Sequence, residues 1–258
     1  MKIGGLQKLS MVDYPGKMSC TIFFTGCNFR CSYCHNSLLV LPEPDHEWIP
    51  EEQLFSYLKK RQGILEGVCI SGGEPLLQGR NIIPFLETIK ELGYPVKLDT
   101  NGTFPELLRE LCERELVDYV AMDIKNSREN YGRAIGVEQS KLNEQPGNAN
   151  QNVLDKQPGK PEQNLLDRIQ QSVDFLLQNQ VDYEFRTTLV KGIHEPQDIE
   201  KICHWIGGAK AWYLQNFKDS GSLLAPNSCQ MSSFSENEME LMEKTAKNYK
   251  MNVFVRNV

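Results

Sequence analysis

Three cysteines stand close together near the start of the chain, in the run Cys27-Asn28-Phe29-Arg30-Cys31-Ser32-Tyr33-Cys34. Thiolates at C-x3-C-x2-C spacing can wrap one metal centre from a single loop. Structural zinc sites usually take four ligands in two separated pairs. His35 directly follows Cys34, and adjacent ligands would strain a tetrahedron. A [4Fe–4S] cluster normally has four cysteine ligands, so a set of three leaves one iron open to a substrate or cofactor. The iron–sulfur reading is preferred. A zinc site of the three cysteines plus His35, or thiols simply buried in a core, are the alternatives.

Further polar stations follow at intervals: Ser71-Gly72-Gly73-Glu74-Pro75, Asp99-Thr100-Asn101-Gly102, Met122-Asp123-Ile124-Lys125, and Arg186 within Phe185-Arg186-Thr187. Taken singly, each has an ordinary explanation. SGGEP can be a turn, the acids and Lys125 an ion pair at a sheet rim, and Arg186 a rim arginine.

The elements that must position these residues alternate along the chain. Residues 18–25 form a β-branched and aromatic run that ends at Gly26 and the cysteines. Strand patterns recur at 68–71, 96–100, 119–124, 183–190, 211–217 and 252–256. Helical patterns occupy 51–61, 81–92, 105–115, 165–179, 199–206 and 235–249. Repeated βα units imply a parallel sheet with right-handed crossovers. Six or so units suit an α/β fold of the partial (β/α)6 barrel type, with active-site residues at the C-terminal strand ends. The stations lie at those ends. One stretch breaks the pattern: at about 138–163, QxxLxx-QPGxxx units repeat, with Gln139, Gln145, Gln151, Gln157 and Gln163 in step. The QPG units lack the apolar positions of a β-helix, so this reads as an insertion within a single domain spanning 1–258.

A chain of 258 residues, 40% hydrophobic, buries a core without needing a metal to hold it. The formal charge of −6 argues against a general nucleic-acid or membrane-surface binder. No signal peptide or membrane span is evident, so the eight cysteines are expected in a reducing cytoplasm, where clustering suggests a metal or redox site. Outside the cluster, Cys20, Cys69, Cys112 and Cys203 read as inert core thiols, while Cys229 lies in a Pro/Asn/Ser loop. His46, His194 and His204 suggest no catalytic set.

The motif C-x3-C-x-aromatic-C, with Tyr33 as its aromatic, resembles the signature of the radical S-adenosylmethionine (SAM) superfamily. SGGEP resembles that family's GGE motif. DTNG and D-x-K resemble stations of glycyl-radical-enzyme activating proteins. Val12-Asp13-Tyr14-Pro15-Gly16 and Cys34-His35-Asn36 extend the likeness, most closely to activating proteins of anaerobic ribonucleoside-triphosphate reductase and more broadly to pyruvate formate-lyase activating enzyme.

The resemblance implies a [4Fe–4S] cluster on Cys27, Cys31 and Cys34, and a SAM site drawn from Tyr33, Gly72, Gly73, Glu74, Asp99, Asp123, Lys125, Arg186 and Asn216. Glycine would bring backbone close to the SAM methionine without a Cβ. The acids and Lys125 would grip its zwitterion and the ribose. The implied activity is reductive SAM cleavage followed by hydrogen abstraction from a glycine of a partner, anaerobic ribonucleotide reductase, with flavodoxin or ferredoxin as electron donor. A radical SAM enzyme acting on a small molecule, peptide or RNA is the alternative, and a non-catalytic iron–sulfur or zinc module is a third reading.

Overall fold

The structure, a computed structural model, describes residues 1–43, 46–137, 164–219, 221, 223–224 and 230–256. One sheet of eight strands runs in chain order: β1 (Ile3–Ser10), β2 (Ser19–Phe24), β3 (Gly67–Gly72), β4 (Val96–Thr100), β5 (Tyr119–Asp123), β6 (Asp182–Leu189), β7 (Trp212–Asn216) and β8 (Val253–Arg256). From β2 to β8 every pairing is parallel, and each crossover carries helix. Strands β2–β7 are the six of the expected partial barrel.

The helices are α1 (Ser37–Val40), α2 (Glu51–Lys60), α3 (Ile82–Glu91), α4 (Pro105–Glu113), α5 (Tyr131–Ile135), α6 (Leu165–Leu177), α7 (Pro196–Trp205) and α8 (Glu236–Asn248). A 3-10 segment, Pro75–Asn81, precedes α3.

Strand alternation divides the sheet chemically. On the helix side lie buried Cys20, Ile22, Phe24, Val68, Ile70, Val96, Leu98, Val120, Met122, Phe185, Trp212 and Leu214. Phe24 meets Phe85 of α3 edge-on at 5.4 Å, and each such aromatic contributes about 1.5–3 kcal/mol by leaving water. The opposite face, turned into the barrel, carries Thr21, Cys69, Lys97, Asp99, Tyr119, Asp123, Glu184 and Arg186. Helices supply their apolar face at i, i+4, i+7 spacing, as in Ile169, Val173 and Leu176 of α6. Asn164 caps that helix by accepting from the Asp167 N–H at 2.9 Å.

Strand β1 is absent from the sequence expectation. Its run IGGLQKLS has two glycines and no clean alternation, yet it pairs antiparallel with β2 along the sheet edge. Gly4 explains part of this: a Cβ there would stand 2.4 Å from Thr25 Cγ2. Helices α1 and α5, of four and five residues, are too short to show a period and were not expected either. The repeat insertion at 138–163 lies outside the described residues. No described helix is long and apolar enough to cross a membrane.

Candidate active site

The loop after β2 carries the cysteines and is fixed from several sides. Gly26, at φ 90°, donates its N–H to the Leu39 carbonyl at 2.7 Å. The Arg30 guanidinium donates to the carbonyls of Cys27 at 2.6 Å and Phe29 at 2.7 Å, while the Arg30 N–H reaches the Ile135 carbonyl at 3.0 Å. Later in the chain, the Leu224 N–H donates to the Cys34 carbonyl at 3.2 Å, and Ser32 Oγ lies 3.4 Å from Met231 Sδ.

Cys27, Cys31 and Cys34 all border one cavity of about 220 Å³ at the C-terminal strand ends. Burial pushes the Cys27 thiol up to about 11 and the Cys31 thiol to about 12. Both are therefore neutral thiols until a metal displaces their protons. Among the described residues, no three His, Cys, Asp or Glu side chains converge tightly enough to hold one metal ion. Ligands of a multi-iron cube bind different irons and need no such convergence, so the donor set fits a cluster better than a single zinc. His35 also borders the cavity, where its ring stacks on Phe217 at 5.7 Å.

The strand ends supply the other walls. The end of β3 and the residue beyond it give Ser71, Gly72 and Gly73; the end of β4 gives Asp99, Thr100 and, just past it, Asn101; the end of β5 gives Asp123, with Lys125 two residues on; and β6 gives Arg186 and Thr188. Lys125 Nζ and Asp123 Oδ2 pair at 2.6 Å. Burial works against the Lys125 ammonium, but Asp123, Cys31 and Tyr33 together outweigh it and hold Lys125 protonated well above its usual range. Asp99 behaves likewise: burial raises it, yet Lys97 and Arg186 together hold it below the ordinary carboxylate value. Arg186 is bonded through Nε to Glu184 and lies 3.6 Å from Asp99.

Glycine at 72 and 73 answers a demand within the fold. Gly72 sits at φ 130°, where a Cβ would be 2.1 Å from the Phe24 carbonyl oxygen; at Gly73 it would be 2.0 Å from that of Gly26. The backbone of β3 thus presses against the cysteine loop.

Two residues expected at a SAM site are turned elsewhere. Glu74 is fully buried and does not border the cavity; its carboxylate accepts from the Leu76 N–H, the Thr100 hydroxyl and the Asn101 N–H. The Asn216 side chain donates to the Phe234 carbonyl at 2.8 Å and accepts its N–H at 3.0 Å, which ties the end of β7 to Phe234. Both position loops because their polar groups are already satisfied by backbone.

Tyr33, by contrast, is at the cavity. Its hydroxyl is buried with no hydrogen-bond partner among the described residues. An unpaired buried hydroxyl is costly, and a polar ligand would satisfy it. Cys69, expected to be an inert core thiol, is fully buried, and it sits on the barrel's inner face 3.7 Å from both Lys97 Nζ and Asp99 Oδ2. Cys229 lies outside the described residues.

Sequence reasoning passed over His194 and the Asn28–Asn101 link. The His194 ring accepts the Val190 N–H at Nδ1 and meets the Lys125 carbonyl at 2.7 Å through Nε2; no neighbouring motif marks it. Asn101 Nδ2 donates to Asn28 Oδ1 at 2.8 Å, tying the loop after β4 to the cysteine loop. The polar residue just after Asp99-Thr100 was a signal available in the sequence.

Comparison with known proteins places residues 21–145 within the family model described as the radical SAM superfamily. A Methanocaldococcus jannaschii protein, named provisionally as a glycyl-radical enzyme activating enzyme, is 32% identical over 257 residues, covering 99% of this chain and 96% of the relative. The pyruvate formate-lyase-activating enzyme of Clostridium pasteurianum is 35% identical over 134 residues, 48% of this chain and 52% of that one. Among solved structures, a radical SAM methyltransferase from Sphaerobacter thermophilus superposes with a TM-score of 0.66 over 96% of this chain and 68% of its own, at 12% identity. At that identity the likeness bears on the fold alone.

Proposed function

The chain belongs to the radical SAM superfamily, and from that premise we propose that it activates a glycyl-radical enzyme, taking a hydrogen atom from a backbone glycine of that partner. As a radical SAM enzyme it uses a [4Fe–4S] cluster and SAM. When bound, the cluster supplies the electron that cleaves SAM into methionine and a 5′-deoxyadenosyl radical.

The observation that carries the reading is the convergence of three thiols, the Gly72–Gly73 backbone and the charged groups Asp99, Asp123, Lys125 and Arg186 on one cavity. Cys27, Cys31 and Cys34 would hold the cluster. Gly72 and Gly73 would offer backbone to the SAM methionine, the Lys125 ammonium and Arg186 guanidinium would meet its carboxylate, and Asp99 and Asp123 would meet its amino group and ribose hydroxyls. Tyr33 closes the wall beside the cysteines and offers a free hydroxyl. The protein's share of the chemistry is to orient the reactants and keep water out.

The partner is assigned as anaerobic ribonucleotide reductase on the sequence likeness described above, with flavodoxin or ferredoxin as the reductant. The relatives named as glycyl-radical and pyruvate formate-lyase activating enzymes support the broader class. The test is anaerobic reconstitution, then EPR of the reduced protein with SAM and the reductase. A glycyl radical on the reductase is the expected result. SAM cleavage without that radical would move the substrate to a small molecule, peptide or RNA. A cluster signal indifferent to SAM would overturn the reading.

A further inference from the structure

Placing a lysine in the interior of a barrel strand is expensive unless a counter-charge meets it. Lys97 is such a residue: its side chain is 0% exposed, and it does not border the cavity. Two residues on, Asp99 shares its face of β4 by the period of the strand and does border the cavity, with 25% of its side chain exposed. Lys97 Nζ hydrogen-bonds Asp99 Oδ1. Among the described residues, Asp99 is the one carboxylate in salt-bridge contact with Lys97.

The rest of the surroundings leave Asp99 little choice of orientation. Register sets Cys69 of β3 opposite Lys97, and the Cys69 thiol lies 3.7 Å from Asp99 Oδ2. From β6, Arg186 approaches Asp99 Oδ1 at 3.6 Å, but that guanidinium is also bonded to buried Glu184. On β5, Asp123 adds negative charge near Arg186 and is itself paired with Lys125. Arg186 is therefore divided between carboxylates, whereas Lys97 serves Asp99.

We propose that Lys97 is a positioning residue for SAM: from beneath the cavity it fixes the orientation and negative charge of Asp99, which in turn meets the ligand. The inference rests on reading the cavity as the SAM site. It extends that reading to a residue that cannot touch SAM.

The experiment is anaerobic titration of SAM into the cluster-reconstituted protein, comparing wild type, Lys97→Met, Asp99→Asn and the double variant from mildly acidic to mildly basic pH. Lys97→Met should weaken binding by about tenfold at neutral pH, and the loss should deepen as pH falls, because Asp99 then protonates more readily. Asp99→Asn should lack that pH dependence. The double variant should bind as Asp99→Asn does, and, having lost both charges of a buried pair, it should fold even if Lys97→Met alone does not. Lys97→Met with wild-type affinity and pH profile would overturn the proposal. So would a double variant binding much more weakly than Asp99→Asn. Failure of the wild type to bind SAM would instead overturn the assignment of the cavity, and this inference with it.

Discussion

Glu74 and Asn101 are joined across two strand ends, the Asn101 N–H donating to Glu74 Oε2 at 2.7 Å in a carboxylate that is fully buried. The same group accepts from the Leu76 N–H at 3.0 Å and the Thr100 hydroxyl at 2.9 Å. The loop that presents Gly72 and Gly73 and the loop that follows Asp99 are consequently held as one piece.

That bond has a pH signature. Burial raises the Glu74 carboxyl to about 7 in spite of its three donors. Between 4.5 and about 7 the folded chain keeps a proton that the unfolded chain has released, so this group's contribution to stability falls as pH rises through that window and levels off above it. The size is roughly 3 kcal/mol. Glu74→Gln should abolish this component, as measured by urea unfolding of the cluster-free chain at a series of pH values. Parallel stability curves for the two proteins would remove the buried ionisation from the account.

His194 works in the opposite sense. Burial lowers its pKa from 6.5, and both ring nitrogens are engaged by backbone in the neutral form. Unfolding at acid pH lets it take up a proton, so its contribution is lost as pH falls from 6.5 toward the lowered folded value. His194→Gln should flatten the acid limb of the stability profile. It should also cost about 1–3 kcal/mol at neutral pH, by leaving a buried backbone group unpaired.

At Gly73 the expected effect is on the metal site as well as on SAM. A Cβ would stand 2.0 Å from the Gly26 carbonyl oxygen and 3.2 Å from Cys27 Cβ. Gly73→Ala should therefore lower the melting temperature, in line with about 1–3 kcal/mol for overpacking, and reduce iron incorporation. Normal iron content with weakened SAM affinity would show that the glycine serves the ligand alone.

Cys27→Ala, Cys31→Ala and Cys34→Ala should each lose the intact cluster, read as iron content and as the EPR signal of the reduced protein. The cluster-free variants should still unfold cooperatively, because the core runs along the whole sheet and the three cysteines contribute to it only at the cavity end. An intact cluster in any one variant would sink that ligand assignment.

Much of the barrel was legible because its strands are buried on the helix side and end in polar residues. Residues 96–100 were placed as the strand they form, and the stations at 72–73, 99, 123, 125 and 186 do meet at one cavity. What stayed hidden was carried by partners instead of by local pattern. Strand β1 exists because β2 is there to pair with it. Glu74 and Asn216 looked like ligand groups, since a polar residue at a strand end reads the same whether it faces a cavity or a neighbouring backbone. Cys69 read as core because its strand is apolar, and only the barrel's inner face shows it beside Lys97 and Asp99.

The contact between Ser32 and Met231 spans 199 positions of sequence. On a ribosome, the cysteine loop emerges long before Met231, and Leu224, which bonds Cys34, also comes late. The cysteine loop therefore acquires these two contacts only once residues 224 and 231 have been synthesised, so a chain ending before them would carry the three cysteines without that support.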